Sequence, residues 1–256
     1  MPKIGFLDAL GYFPVPLRRL LIRCLVRSRR NHLFLRSEAF RGKRVLILGP
    51  ARTLADDLTA LDPGRYDLFV KFNNGLETAV PGLNGSPLRC DMLFHSLTDD
   101  ARPVTASALC RANVRWLVHR TPTRGAYLHT LKAARDLGRV AQVRCLEHGL
   151  YARLRDRLNG ASPSSGLVCA CFFLSAPVDE LAIAGFTFFT TQYVPGYDDA
   201  VMSDAAAVRI TAHRGHHDPA GEARILAQDV AQARANGRNV VLGPQVVRAL
   251  SEIGVT

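Results

Sequence analysis

The sequence predicts an α/β domain built on a mostly parallel sheet with helices on both faces. Two observations predict it. From residue 44 onward, short apolar strand-like runs alternate with helix-like segments, the pattern of successive β-α units whose crossovers cover both faces of one sheet. The chain has 256 residues, 48% of them hydrophobic, which is enough for one large domain with a well-buried core.

The elements follow in order. Val45-Leu46-Ile47-Leu48 reads as a buried first strand, ended by Gly49-Pro50. A helix over Thr53 to Leu61 is stopped by Asp62-Pro63-Gly64. Further strands are expected at Asp67 to Phe72, Asp91 to His95, Val114 to Val118, Val143 to Leu146, Leu181 to Phe186 and Asn239 to Leu242. Helices are expected over Leu128 to Leu137, Leu167 to Leu174 and Glu222 to Ala235. The Gly- and Pro-containing stretch Val80 to Pro87 reads as a loop. In such folds the ligand site lies beyond the carboxyl ends of the strands. That rule singles out Gly49, Asn73, Asn74, His95, Gly185 and Phe186.

The net charge of +11 is uneven. Residues 1–44 hold eleven Lys or Arg against only Asp8 and Glu38, so nine of the eleven net positive charges lie there. A nucleic-acid-binding domain more often spreads its basic face through the fold, so no nucleic-acid partner is expected. The basic residues are interleaved with Leu17, Leu20, Leu21, Ile22, Leu25 and Val26. Residues 1–40 therefore read as a basic amphipathic segment preceding an α/β domain over 41–256, suited to an anionic membrane surface. The competing reading is a terminal helix packed on its own domain. The uncharged stretches are too short to span a bilayer, and arginines interrupt any signal-peptide core. The six cysteines show no CxxC pair and no zinc spacing, and several sit in apolar runs. They read as reduced and structural, in keeping with a cytoplasmic location.

Four segments carry candidate chemistry. Gly49-Pro50-Ala51-Arg52-Thr53 follows the first strand and opens a helix, where backbone N–H groups can face a phosphate. It is neither a dinucleotide fingerprint nor a P-loop. Phe72-Asn73-Asn74-Gly75 ends the second strand; an asparagine there can read a base or ribose edge, or simply form a turn. Pro163-Ser164-Ser165-Gly166 opens an apolar helix, and the same exposed N–H groups serve for capping or for holding an anion. Asp218-Pro219 is a helix start with a cap residue and proline at the first helical position. His217 therefore stands just outside a helix N-terminus, whose positive dipole end disfavours imidazolium. A neutral imidazole is what a general base requires; a plain loop histidine beside His213 and His216 is the alternative. Gly215 and Pro219 break the one-turn spacing of His213 and His217, and no Asp-x-Asp pair occurs, so no metal site is expected.

The order and spacing of these blocks resemble the animal-type sialyltransferase family, which has bacterial members. The resemblance runs from about Lys43 to Leu226. The family's long first motif looks like Val45–Asn74, ending in Lys71-Phe72-Asn73. Its Pro-Ser-Ser/Thr-Gly motif, apolar helix and strand ending near Gly-Phe are similar to Pro163–Phe186. Its His followed five positions later by Glu matches His217 and Glu222, and its aromatic third motif is loosely similar to Gln192-Tyr193. Where the family has small residues and Asn in the first turn, this chain has Pro50, Arg52 and Thr53, with Arg52 available to supply a charge. The cysteines that link the first two motifs in secretory members are not evident, which fits a cytoplasmic bacterial enzyme.

The resemblance implies a single Rossmann-like domain, a sialyltransferase-type variant of the GT-A fold. It implies an inverting glycosyltransferase that moves a 2-keto sugar acid, sialic acid or Kdo, from a CMP-activated donor to a glycan or lipid-linked glycan, with no cofactor and no metal. His217 would be the base, with His216 beside it. Gly49, Arg52, Thr53, Asn73, Ser164, Ser165, Gly166 and Gly185 would contact the donor, and Glu222 would orient the helix start or His217. The location implied is peripheral, on the inner face of the plasma membrane. Three other readings stay open: a transferase using another nucleotide sugar, a non-catalytic nucleotide sensor or membrane scaffold, and nucleic-acid binding through residues 17–44.

Overall fold

The computed structural model describes residues 6–76, 78–80, 88–97, 102–120 and 127–254. Seven strands form one sheet: β1 (Arg44–Leu48), β2 (Leu68–Phe72), β3 (Met92–His95), β4 (Trp116–His119), β5 (Gln142–Cys145), β6 (Glu180–Ala184) and β7 (Val240–Leu242). Among the described residues the helices are α1 (Phe6–Ala9), α2 (Val15–Ser28), α3 (Arg30–Leu33), α4 (Leu54–Ala60), α5 (Ala106–Arg111), α6 (Tyr127–Leu137), α7 (His148–Arg157), α8 (Ser165–Ser175), α9 (Asp204–Arg214), α10 (Pro219–Ala235) and α11 (Pro244–Glu252).

The sheet is parallel throughout, in the order β5-β4-β3-β2-β1-β6-β7. Its central strands are buried on both faces, which is why they read as continuous apolar runs. On one face Val45, Ile47, Val70, Phe94 and Ile183 pack under the apolar helix α8 together with α7 and α10. On the other, Leu46, Leu48, Phe69 and Ala184 meet α4, while Leu93, Leu117 and Val143 meet α5 and α6. The expected α/β architecture is thus present.

Several expected strand ends move, for physical reasons. Asp67 and Asp91 lie just outside their strands and act as ties. Asp67 accepts from the Arg44 N–H at 2.9 Å, and Asp91 from that of Phe69 at 2.8 Å. The fourth strand starts at Trp116 and runs on to His119, placing Arg120 at its carboxyl end. The helices α5, α7, α9 and α11 have no counterpart in the expectations above. In α7 only Tyr151 and Leu154 are buried, and the arginines around them hide the apolar spacing. Of the expected loop at Val80 to Pro87, residues 81–87 lie outside the described residues.

The chain runs from β1 outward to β5, then returns to add β6 on the other side of β1. This reversal opens a crevice at the carboxyl ends of β1 and β6. The N-terminal segment lies against the far edge. Phe34 bridges Cys145 of β5, the Leu35 N–H donates to the Cys145 carbonyl at 2.8 Å, and Asp8 pairs with Arg135 and Lys132 of α6. Ile22 and Leu33 are buried in this contact. No described helix is long and apolar enough to cross a membrane.

Candidate active site

A cavity of about 640 Å³ fills the crevice. Its walls come from the carboxyl ends of five strands: Pro50 and Ala51 after β1, Asn73 after β2, Ser96 after β3, Arg120 after β4, and Gly185 and Phe186 after β6. The N-termini of α8 and α10 close the other side through Ser164, Ser165, Gly166, His217 and Glu222.

Ser164 caps α8: its hydroxyl accepts from the Leu167 N–H at 3.1 Å. The same hydroxyl donates to Glu222 Oε2 at 2.5 Å, and the Ser164 N–H donates to Oε1 at 2.8 Å. Of the four N–H groups that a helix start leaves without internal partners, those of Ser164 and Leu167 are therefore occupied. Those of Ser165 and Gly166 remain, on residues lining the cavity. Ser164 thus holds the helix start and Glu222 together, its hydroxyl proton engaged by the carboxylate. A Cβ at Gly166 would stand 2.8 Å from Phe186 Cε1, so the absent side chain lets that ring lie across the helix start.

Asp218 caps α10 by accepting from the Gly221 N–H at 2.9 Å, and His217 stands just before it. The Ser162 N–H donates to the His216 carbonyl at 2.9 Å, and His217 Nδ1 meets the Ser162 carbonyl at 2.7 Å. A carbonyl only accepts, so Nδ1 carries the proton and neutral His217 keeps its lone pair on Nε2. Phe189 stacks on the imidazole with ring centres 5.2 Å apart and planes 13° from parallel. Phe188 and Phe189 both adopt positive φ, 49° and 62°, a backbone arrangement that costs energy for residues of this size and clusters at functional sites.

Burial lowers the His217 pKa below the usual histidine value, outweighing the Ser162 hydrogen bond that raises it. Arg120, His216 and Arg214 push it down further. Glu222 Oε1 lies 3.6 Å from His217 Nδ1. Burial pushes the Glu222 carboxyl up to about 7, against the Ser164 hydrogen bonds that favour its charged form. The site therefore pairs a neutral base with an acid that titrates near neutrality, the spread of environments that acid–base chemistry requires.

Asn73 sits at φ 42°, and its Oδ1 accepts from the Ser96 N–H at 3.1 Å, which aims the side chain along the cavity wall. The Tyr197 hydroxyl hydrogen-bonds the Asn73 side chain. Asn74 is occupied at both ends, by the Tyr197 carbonyl and the Arg102 N–H, each at 2.8 Å. Gly185 has φ 70°, and a Cβ there would stand 2.5 Å from the Gly49 carbonyl oxygen.

The cavity brings together Asn73, Ser164, Ser165, Gly166, Gly185, His216, His217 and Glu222. Gly49, Arg52 and Thr53 are not among its lining residues. Gly49 packs backbone to backbone on Gly185. Arg52 turns outward to a two-point pair with Asp204, at 3.0 and 2.8 Å. Thr53 precedes α4 with its hydroxyl buried and making no hydrogen bond among the described residues. Lys71 of the Lys-Phe-Asn triplet is buried in β2, away from the cavity, where burial lowers its pKa.

Sequence reasoning passed over Arg120, Ser162, Phe189, Tyr197 and Arg214, all of which line the cavity. Arg120 had a signal, because it is the first polar residue beyond an apolar strand once that strand is extended to His119. Phe189 had none, since its place follows from loop conformation.

No protein-family model matches the chain, and neither does any curated protein. Among solved structures, the chain is similar to a mammalian sialyltransferase in complex with Gal-beta-1-3GalNAc-ortho-nitrophenol, at 15% identity over 83% of this chain and 78% of that one, with a TM-score of 0.42. It is also similar to the sialyltransferase CstII from Campylobacter jejuni in complex with cytidine-5'-monophosphate, at 16% identity over 69% and 77% of the two chains and a TM-score of 0.42. A CstII variant in complex with CMP matches at 16% identity over 80% and 87%, with a TM-score of 0.49.

Proposed function

We propose that this chain is an inverting glycosyltransferase that transfers a 2-keto sugar acid from a CMP-activated donor to a glycan or lipid-linked glycan. The observation that carries the reading is His217. Its Nδ1 proton is tied to the Ser162 carbonyl, which leaves a basic Nε2 on the wall of a cavity that also holds a helix N-terminus and Asn73. In the proposed reaction Nε2 takes the proton of the acceptor hydroxyl. The acceptor oxygen attacks the anomeric carbon from the face opposite CMP. The bond from that carbon to the phosphate oxygen breaks, CMP leaves with the electron pair, and the configuration inverts. The imidazolium formed keeps its Nδ1–H on Ser162, with the Glu222 carboxylate 3.6 Å away to stabilise it. Ser165 and Gly166 offer N–H groups to an anion of the donor, and Asn73 contacts the nucleotide. The leaving group carries one phosphate, so the reaction is written without a metal.

The donor class is tested by thermal unfolding. CMP should raise the melting temperature while UDP and GDP should not, with EDTA or with divalent metal. At ligand near 100 Kd the stabilisation is about 2.7 kcal/mol. A shift seen only with UDP and a divalent metal would replace this donor with another nucleotide sugar. CMP binding without any turnover of a CMP-sugar acid would favour the non-catalytic sensor.

The reading extends to an enzyme peripheral on an anionic membrane, the inner face of a bacterial plasma membrane. Helix α2 buries Ile22 and packs Leu25 and Val26 inward, yet Leu17 and Leu20 remain 41% and 55% exposed beside Arg18, Arg19 and Arg23. Arginines near an anionic surface each contribute about 1 kcal/mol. Wild-type protein should co-sediment with vesicles containing phosphatidylserine, not with phosphatidylcholine alone, and salt should weaken binding. The double variant Leu17→Glu, Leu20→Glu should lose vesicle binding at an unchanged melting temperature, because both side chains face outward. Equal binding by the variant and the wild type would refute the membrane contact.

A further inference from the structure

We propose that Arg120 is a binding residue for an oxyanion of the donor, its phosphate or its carboxylate. The proposal rests on the reading of the cavity as a site for an activated sugar nucleotide. Arg120 follows β4 at the carboxyl edge of the sheet, and its N–H donates to the His95 carbonyl at 3.1 Å. Its side chain crosses to the α8 side, where Nη1 donates to the Pro163 carbonyl at 3.0 Å. That carbonyl immediately precedes Ser164, so the guanidinium is anchored to the segment that leads into α8, in the cavity that Ser165 and Gly166 also line.

Among the described residues the guanidinium forms no ion pair, and its charge acts on Glu222 only through space. Among the described residues, two carboxylates line the cavity, Asp198 and Glu222, and two guanidinium groups, Arg120 and Arg214. Arg214 lies 3.6 Å from Asp198. Both Glu222 oxygens are engaged by Ser164. Among the described residues no carboxylate comes within ion-pair distance of Arg120, and its Nε is shielded from solvent with no acceptor. A guanidinium has five N–H groups and never deprotonates in a protein. Among the described residues Pro163 accepts from one of them, and the buried Nε has no acceptor. A partly enclosed charge left in this state is costly, and a bound oxyanion relieves the cost. The planar fork suits a two-point contact with carboxylate or phosphate. A 2-keto sugar acid linked to CMP carries both groups near the reacting carbon.

The test uses Arg120→Gln and Arg120→Lys in the full chain. Affinities are measured for cytidine and CMP, and KM for a CMP-activated 2-keto sugar acid. Cytidine should bind the wild type and Arg120→Gln equally. If the phosphate is held, CMP affinity should fall at least about 10-fold in Arg120→Gln, as for lost hydrogen bonds to a charged group. If the carboxylate is held, CMP affinity should stay level and KM for the sugar donor should rise by a similar factor. Arg120→Lys should recover part of either loss, since it keeps the charge without the fork. Unchanged CMP affinity together with unchanged KM would overturn the proposal. So would an equal loss for cytidine, which would make Arg120 a prop for Pro163 only. Should another nucleotide bind in place of CMP, the donor reading fails, and the same comparison of nucleoside with nucleotide still decides Arg120. Should no nucleotide bind, thermal stabilisation by inorganic phosphate decides it: present in the wild type and absent in Arg120→Gln for an anion site, equal in both against one.

Discussion

The His217→Ala variant is expected to lose about 10²–10⁴-fold in turnover of a CMP-sugar acid, the range typical for removing a general base, while CMP binding stays close to that of the wild type. The imidazole is held by the Ser162 carbonyl and the Phe189 ring, and both residues lie outside α8 and β2. Its removal therefore deletes the base without disturbing α8 or β2. The pH profile supplies a second readout. Burial favours neutral His217, so its pKa in the free enzyme lies below the ordinary histidine value of 6.5. Proton uptake by His217 should add an acid-side fall below pH 6.5, separate from any fall near 7 as Glu222 protonates, and this limb should vanish with the residual activity of His217→Ala. Wild-type turnover in the variant would end the assignment, and His216, which lines the same cavity, would be the next residue to replace.

Gly49→Ala is expected to be the most damaging single methyl addition near the site. The new Cβ would stand 2.1 Å from the Gly185 carbonyl oxygen and 2.6 Å from Phe186 Cδ2. Backbone cannot yield as the end of a flexible side chain can. Gly185 is already held by its N–H, which donates to the buried Asp57 at 2.7 Å. Overpacking of this kind costs typically 1–3 kcal/mol, and about 3 kcal/mol is expected here because β1 and β6 must separate at their pairing ends. Chemical denaturation should show a lower midpoint with an unchanged slope. A midpoint within error of the wild type would mean that the two strands have slack at this turn.

Much of the fold was legible because parallel strands buried on both faces leave a plain signal. Each of the seven expected strands overlaps an observed one. The helix starts at Ser164 and Asp218 were equally plain, since capping chemistry is local and both side chains cap as their residue types suggest. The helices α7 and α9 were less so. In α7 arginines stand around the buried Tyr151 and Leu154, and α9 buries only small residues, Ala206, Ala207 and Thr211, so neither shows a strong apolar period.

For the candidate site, the sequence by itself determined which backbone groups are exposed at helix starts and which residues end the strands. This placed Asn73, Ser165, Gly166, Gly185 and His217 on one list. Only the tertiary structure decided how these groups share partners. Ser164 carries one hydroxyl proton, and Glu222, fifty-eight positions away, takes it. Arg52 could face a phosphate or a carboxylate, and the N-terminus of α9 brings Asp204 to it first. Arg120, readable in sequence only as a polar residue after a strand, is anchored by Pro163 with no carboxylate among the described residues within ion-pair distance. Each donor proton serves one partner at a time, so a proton already engaged must be released before it can serve a ligand. That competition runs between residues far apart in the chain, and only the folded arrangement settles it.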